Sequence, residues 1–209
     1  MMIPQIILWA IGTYLIASIP FSVLIGCMIF KVDIRDYGDG NPGATNVKQA
    51  SGSLLWMLIA VILDSLKGML PVGIPLWLMG WTAWEVIPIA MAAVTGHAFS
   101  IFLRFRGGKA VATSVGIWVG LISIEAILLI PTMLTYAYYS VKESEWAVIF
   151  MMVSVLLYLI LTRPTNYPFL LMWLGNMLII GYRHRMGLHE PPTIQRWLPL
   201  LNKGERLAA

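Results

Sequence analysis

Apolar residues run in long stretches along this chain instead of alternating with polar ones. A helix crossing a bilayer needs about 20 mostly apolar residues. Residues 2–30, 54–77, 81–103 and 111–130 each supply such a stretch. Residues 131–140 form a half-length piece, and 146–161 and 167–182 follow. Pro20 predicts a kink or break near the inner end of the first stretch, because proline removes a backbone donor. Gly80, Pro131 and residues 162–166 predict brief hairpin turns. The pattern contains no internal repeat and no low-complexity tract.

Composition agrees with a bilayer as solvent. The chain is 59% hydrophobic and 11% charged, with mean hydropathy +0.80. Soluble domains carry about 25% charged residues. Cys27 is the single cysteine, so no disulfide within the chain is available. The net charge of +4 is spread between apolar runs, which argues against nucleic acid as a partner. No Lys or Arg precedes Lys31, so residues 1–30 lack the basic start of a secretion signal and read as a membrane span.

Charge placement predicts topology. Lys31, Arg35 and Lys48 lie in the first loop, Arg104, Arg106 and Lys109 in the third, and Arg183, Arg185, Arg196, Lys203 and Arg206 in the tail. The positive-inside rule puts these segments in the cytoplasm and the N-terminus outside. Seven crossings satisfy that parity, so residues 131–140 read as a short crossing. The fold expected is therefore all-α and polytopic, with about seven transmembrane helices. One membrane domain spans 1–190, and a cytoplasmic tail spans 191–209. Trp77, Trp81 and Trp84 suit an interfacial aromatic belt at the outer turn.

Two cytoplasmic loops carry candidate chemistry. The first contains Asp39-Gly40-Asn41-Pro42-Gly43-Ala44-Thr45-Asn46. Glycine lets a backbone approach a ligand closely and offer successive N–H groups to an anion. Thr45 and Asn46 add hydrogen-bonding side chains. The competing reading is an ordinary turn-rich connection. The other loop contains Arg104-Phe105-Arg106-Gly107-Gly108-Lys109 before a helix start. Helix N-termini favour anions and lysine supplies a point charge. It is not a Walker A loop, because the first Gly is missing and Ala110 follows the lysine. For Arg104, a positive-inside anchor is the plainer reading.

Asp64 and Lys67 lie inside the second span, where ionisable residues are expensive and face a polar interior. Their spacing puts them on one helix face, as a site or as a scaffold pair. His97 is a candidate base, although no Asp follows at the spacing of the common His-Asp acyltransferases. His184 and His189 lie in the basic tail. No His, Cys and carboxylate group has metal-ligand spacing.

Together these residues resemble the PlsY family of acyl-phosphate:glycerol-3-phosphate acyltransferases. Ser18-Ile19-Pro20-Phe21, Asp33-Ile34-Arg35 and Gly40-Asn41-Pro42-Gly43-Ala44-Thr45-Asn46 are similar to its first motif. Asp64-x-x-Lys67-Gly68 is similar to its second-span signature. Gly96-His97-x-Phe99 with Phe105-x-Gly107-Gly108-Lys109-x-Val111-Ala112-Thr113 is similar to its second motif. The resemblance implies a compact seven-helix enzyme of the bacterial inner membrane with its site facing the cytoplasm. It implies acyl transfer from acyl phosphate to the 1-hydroxyl of glycerol 3-phosphate, giving lysophosphatidic acid and phosphate. No cofactor is implied. The partners implied are the two substrates, the lipid bilayer and a functional coupling to the enzyme that makes acyl phosphate. The catalytic residues expected are Lys109, His97, Ser140 and Asn46. The substrate-binding residues expected are Gly40, Asn41, Gly43, Thr45, Lys48, Lys67, Arg106, Gly107, Gly108 and His184.

The chain departs from the family pattern at several positions. Asp39 stands where the family has Ser, and calls for pairing with Arg35 or for turning away from phosphate. Gln49 replaces Arg, with Lys48 beside it. Ser140 matches the first of a serine pair, but Glu143 replaces the second and Ser144 comes one residue late. His184-Arg185 agree with the last motif, while Gly187 and Glu190 replace Asn and Arg. Two alternatives follow: a divergent relative with altered or lost activity, and a small membrane anion-binding or transport protein.

Overall fold

The computed structural model describes residues 2–194. The chain is helical almost throughout. The first apolar stretch forms α1 (Met2–Ser18) and the short α2 (Phe21–Ile25), which runs into a π-helical turn at Gly26–Phe30. The break falls at Ile19–Pro20, where Pro20 was expected to interrupt the helix. The first loop carries α3 (Ala44–Ser51), and α4 (Leu54–Gly73) follows with a π-helical end at Ile74–Leu78. Then come α5 (Ala83–Ala98), α6 (Val111–Ile122), α7 (Ile124–Ser140), α8 (Ser144–Thr162) and α9 (Tyr167–His184). Caps explain several starts. Ser53 accepts the Trp56 N–H at 3.4 Å, and Thr82 and Glu85 form a capping box.

One expected boundary is corrected. Pro131 does not end a span but lies inside α7. The break comes at Ser123, whose φ of 54° and ψ of −129° stop α6 after 12 residues. Proline is tolerated inside membrane helices because neighbours satisfy the freed backbone group. Pro71 and Pro88 are likewise interior, in α4 and α5.

The interior is largely apolar, as in a soluble globule, but it also holds polar groups, and the surface is rich in large apolar side chains. Ile3, Leu8, Leu78, Leu161 and Leu178 are exposed, while Thr13, Ser22, Asp64, Lys67, Thr113, Ser114 and Asn176 are buried. Polar groups are thus sheltered inside the bundle and apolar ones face the lipid. Among the described residues four helical stretches are long and apolar enough to cross a membrane: Met2–Phe30, Leu54–Leu78, Ala83–Leu103 and Ser144–Thr162.

Helix packing is tightest between α4 and α6 and between α1 and α5. Small residues permit the first of these. A Cβ on Gly116 would strike the Ser65 carbonyl, and one on Gly68 would strike the Thr113 carbonyl. Close approach of small residues is how membrane helices gain packing energy without a hydrophobic driving force. At the bundle centre Trp118 donates to Asn176 Oδ1 at 3.1 Å, and Asn176 Nδ2 donates to Ser114 at 2.7 Å.

Asp64 and Lys67 form the deepest charged node. Their side chains meet at 2.7 Å and are 5% and 3% exposed. Lys67 Nζ also donates to the Ile19 carbonyl at 2.9 Å, at the break between α1 and α2. Ser22 in α2 donates to Asp64 Oδ2 at 3.3 Å, and Thr113 in α6 donates to the Asp64 carbonyl at 3.0 Å. The His97 ring in α5 lies 3.7 Å from Asp64 Oδ1. The pair and the Asp64 main chain together draw α2, α5 and α6 to α4. Removing one member of a buried pair costs about 3–5 kcal/mol, because the other charge is left uncompensated. Asp64→Ala should lower thermal stability in detergent sharply. The joint replacement Asp64→Leu with Lys67→Met should lower it less, and equal losses would contradict this account of the pair.

Candidate active site

The loop before α6 is built against α5. Gly108 N–H donates to the His97 carbonyl at 3.1 Å. Glycine is required at two consecutive positions by close approach. A Cβ on Gly107 would collide with the His97 carbonyl, and one on Gly108 would collide with the His97 ring. From the other side Arg183, near the end of α9, donates Nε to the Gly108 carbonyl at 3.0 Å and Nη2 to the Gly107 carbonyl. Its guanidinium carbon lies 6.0 Å from the Phe99 ring centroid. Ala110 then takes a left-handed conformation, φ 62°, and turns the chain into α6. The loop is thus clamped from α5 and α9, and Lys109 extends from its end.

Lys109 reaches two carboxylates on separate segments. Its ammonium lies 2.9 Å from Asp39 Oδ2 in the first loop and 2.8 Å from Glu145 Oε1 in α8. Burial alone would lower its pKa, but hydrogen bonds to Glu145 and then Asp39 hold it above the ordinary lysine value. Burial pushes Asp39 up, yet its hydrogen bond with Lys109 and the Asn41 N–H bring it below the usual carboxylate range. Ser144 also donates to Glu145, at 3.0 Å.

The first loop folds around Asp39 and Asn46. Asp39 Oδ1 accepts the Asn41 N–H at 3.1 Å and Asn46 Nδ2 at 3.1 Å. Asn46 Nδ2 also donates to the Asn41 carbonyl at 2.9 Å. The other end of that buried amide, Oδ1, has no hydrogen-bond partner among the described residues. The structure thus brings Asn41 and Asn46 together with Lys109 through Asp39. Asp39 does not pair with Arg35, which binds Asp33 at 2.5 Å instead. Gly40 and Gly43 shape this loop, with Gly40 N–H donating to the Tyr37 carbonyl at 3.1 Å and Gly43 N–H to the Asn41 carbonyl at 2.8 Å.

Several expected site residues lie apart from this point. Lys67 is held by Asp64 and by the Ile19 carbonyl, away from Lys109. His97 is buried beneath Gly108, its carbonyl accepts the Gly108 N–H, and its ring Nδ1 has no hydrogen-bond partner among the described residues. Ser140 turns its hydroxyl back to the Tyr136 carbonyl of its own helix at 2.8 Å. Thr45, Lys48 and Arg106 are exposed. His184 is buried, with Nδ1 2.9 Å from the Ile180 carbonyl, and lies within electrostatic reach of Lys109 and Glu145. A cavity of about 700 Å³ between α1 and α4 is distinct from Lys109; its lining includes Leu8, Trp9, Leu70 and Trp81, with Lys67 as its basic member.

Glu145 and Arg183 were not foreseen as site residues. Each stands at an end of an apolar stretch, where a charge ordinarily marks the membrane interface. Among the described residues no cluster of His, Cys, Asp and Glu could hold a metal ion.

Residues 7–190 match the family described as glycerol-3-phosphate acyltransferase. The chain belongs to that family. It is 33% identical over 186 residues to the glycerol-3-phosphate acyltransferase of Halalkalibacterium halodurans, covering 88% of this chain and 90% of the relative. Glycerol-3-phosphate acyltransferase 2 of Lactobacillus johnsonii is 34% identical over 181 residues, covering 84% and 79%. Among solved structures, PlsY, an integral membrane glycerol 3-phosphate acyltransferase, matches in its glycerol 3-phosphate form. That match has TM-score 0.79 at 28% identity and covers 95% of this chain and 100% of that one. The lysophosphatidic acid form of PlsY matches with TM-score 0.77 at 28% identity, covering 88% and 90%. The family membership makes this an all-helical integral membrane acyltransferase.

The glycine pair gives a direct test of the loop. Gly107→Ala should cut turnover by at least about tenfold, because the loop cannot keep its seat on His97. Gly181→Ala in α9, where a Cβ meets nothing within 4 Å, should leave turnover unchanged. Equal activity in the two purified, folded variants would contradict the loop's role.

Proposed function

We propose that this protein transfers an acyl chain from acyl phosphate to the 1-hydroxyl of glycerol 3-phosphate, at the cytoplasmic face of the bacterial inner membrane. The observation that carries the reading is the convergence on Lys109. A doubly clamped Gly-Gly loop, the Asn46 loop and the start of α8 meet at one ammonium. The relatives named glycerol-3-phosphate acyltransferase, and the PlsY forms holding glycerol 3-phosphate and lysophosphatidic acid, support the acceptor and the product. The acyl phosphate donor rests on the motif resemblance.

Seven crossings accommodate this placement, with α1 and α2 as one crossing and α4 through α9 as the others. The N-terminus then lies outside, and the Asn46 loop and Lys109 lie in the cytoplasm together, as the positive-inside rule requires. Residues 1–190 act as one membrane domain. The cytoplasmic segment after it begins by pairing with the α7–α8 turn, where Lys142 N–H donates to the Thr193 carbonyl at 3.0 Å. Residues 195–209 of the proposed tail lie outside the described residues.

The chemistry needs little from the protein. Acyl phosphate is an activated mixed anhydride, so the acceptor oxygen attacks the acyl carbon directly and the carbon–oxygen bond to phosphate breaks. Phosphate leaves, and the hydroxyl proton passes to a phosphate oxygen. With His97 buried, a substrate phosphate is the base this reading favours. Lys109 stabilises the phosphate charge, and orientation by the two loops supplies the rest. The acyl chain remains in the bilayer. A functional coupling to the enzyme that makes acyl phosphate follows from this donor.

Purified protein given palmitoyl phosphate and glycerol 3-phosphate should release phosphate and lysophosphatidic acid in equal amounts, and palmitoyl-CoA should not substitute. Lys109→Ala and Asn46→Ala should each reduce turnover by at least about tenfold while membrane insertion persists. Product from palmitoyl-CoA, or near-normal turnover in both variants, would refute the reading.

A further inference from the structure

The ammonium offered as the phosphate ligand is already enclosed by two carboxylates. Asp39 and Glu145 lie 2.9 Å and 2.8 Å from Lys109 Nζ, on different segments, so the three groups together carry one negative charge. A phosphate dianion brought to that ammonium would sit beside both carboxylates. Like charges at contact distance each disfavour the other's charged form. Asp39 is half exposed, while Glu145 is mostly buried and fixed by Ser144 and by the close approach of Gly187.

We propose that a substrate phosphate enters this clamp only together with one proton, which makes Asp39 and Glu145 the residues that select the charge state of the phosphate. The inference rests on the reading of Lys109 as the phosphate ligand. Other titratable or charged groups facing Lys109 are Tyr138 from α7 and His184 from α9. Neither supplies a second positive charge of Lys109's permanence, and the nearby Arg183 guanidinium is committed to the Gly107 and Gly108 carbonyls. Asp39 is held below the ordinary carboxylate range by Lys109, so the clamp is ionised before substrate arrives at neutral pH. The proton must then come with the phosphate or be taken up as it binds. A phosphate monoester has its second pKa near about 6, so its monoanion falls about tenfold per pH unit above that.

Steady-state kinetics from pH 6 to pH 8 separate KM from kcat for each substrate. The KM of the substrate that Lys109 receives should rise by up to about tenfold between pH 7 and pH 8. The other substrate's KM should stay level, which tells acyl phosphate from glycerol 3-phosphate. In Asp39→Asn the rise should vanish and KM at pH 8 should fall about tenfold. Glu145→Gln should act in the same direction. A level KM for both substrates in the unaltered protein, or an undiminished rise in both variants, overturns the proposal. Calorimetric titration with glycerol 3-phosphate and with inorganic phosphate, in two buffers of different ionisation enthalpy, needs no turnover. It should register about one proton taken up per bound anion, and none in Asp39→Asn. Binding without proton uptake overturns the proposal while leaving the acyltransferase reading intact. Binding by Asp39→Asn alone supports the clamp and refutes the acyltransferase reading for the unaltered chain. Absence of binding in all three proteins overturns both.

Discussion

The Asp64–Lys67 pair is the constraint on which the rest of the structure depends. Two charges removed from water inside a membrane bundle must be compensated on every side. Their side chains are met from three places, Ile19 at the first helix break, Ser22 in α2 and the His97 ring in α5, while Thr113 in α6 donates to the Asp64 main-chain carbonyl. Satisfying them fixes the α1–α2 break, the seat of α6 on α4 and the inner end of α5. The Gly107–Lys109 loop joins the last two of these elements. The node is therefore two steps from Lys109: the His97 ring packs 3.7 Å from Asp64 without a hydrogen bond, and the His97 carbonyl accepts the Gly108 N–H.

Charge is handled differently at the two levels. The inner pair is closed, with one lysine, one aspartate and neutral donors and acceptors around them. The outer group is open, with Lys109 between Asp39 and Glu145 and a half-exposed carboxylate on one side. Closed pairs suit a scaffold, while a charge group that stays accessible can exchange a protein partner for a substrate one. The inner lysine is 3% exposed and the outer one 25%.

Much of the fold was legible because lipid imposes a simple rule on sequence. Long apolar stretches marked α1, α4, α5, α8 and α9, and Pro20 marked the first break. Pro131 misled because a proline that would end a soluble helix is carried inside a membrane helix. Ser123 gave no warning, since a serine is not a residue type that marks a positive φ. At the site, Gly107-Gly108-Lys109 was legible as an anion loop, and the Asn46 loop as its neighbour. The pairing of Lys109 with Glu145 was not, because the partners are 36 residues apart and nothing local links them. Arg183 was likewise read as a topology charge, whereas it binds the carbonyls of the glycine pair. Asp39 was recognised as a conflict with phosphate, but its partner is Lys109 and not Arg35.

The central claim is that the Lys109 ammonium, set between Asp39 and Glu145 in the free protein, receives a substrate phosphate. The most direct measurement is a structure of this protein with glycerol 3-phosphate and a non-transferable acyl phosphate analogue bound. The account predicts a phosphate oxygen within hydrogen-bond distance of Lys109 Nζ, about 2.7–2.9 Å. Both ligands bound elsewhere, with Lys109 still held by Asp39 and Glu145, would contradict it.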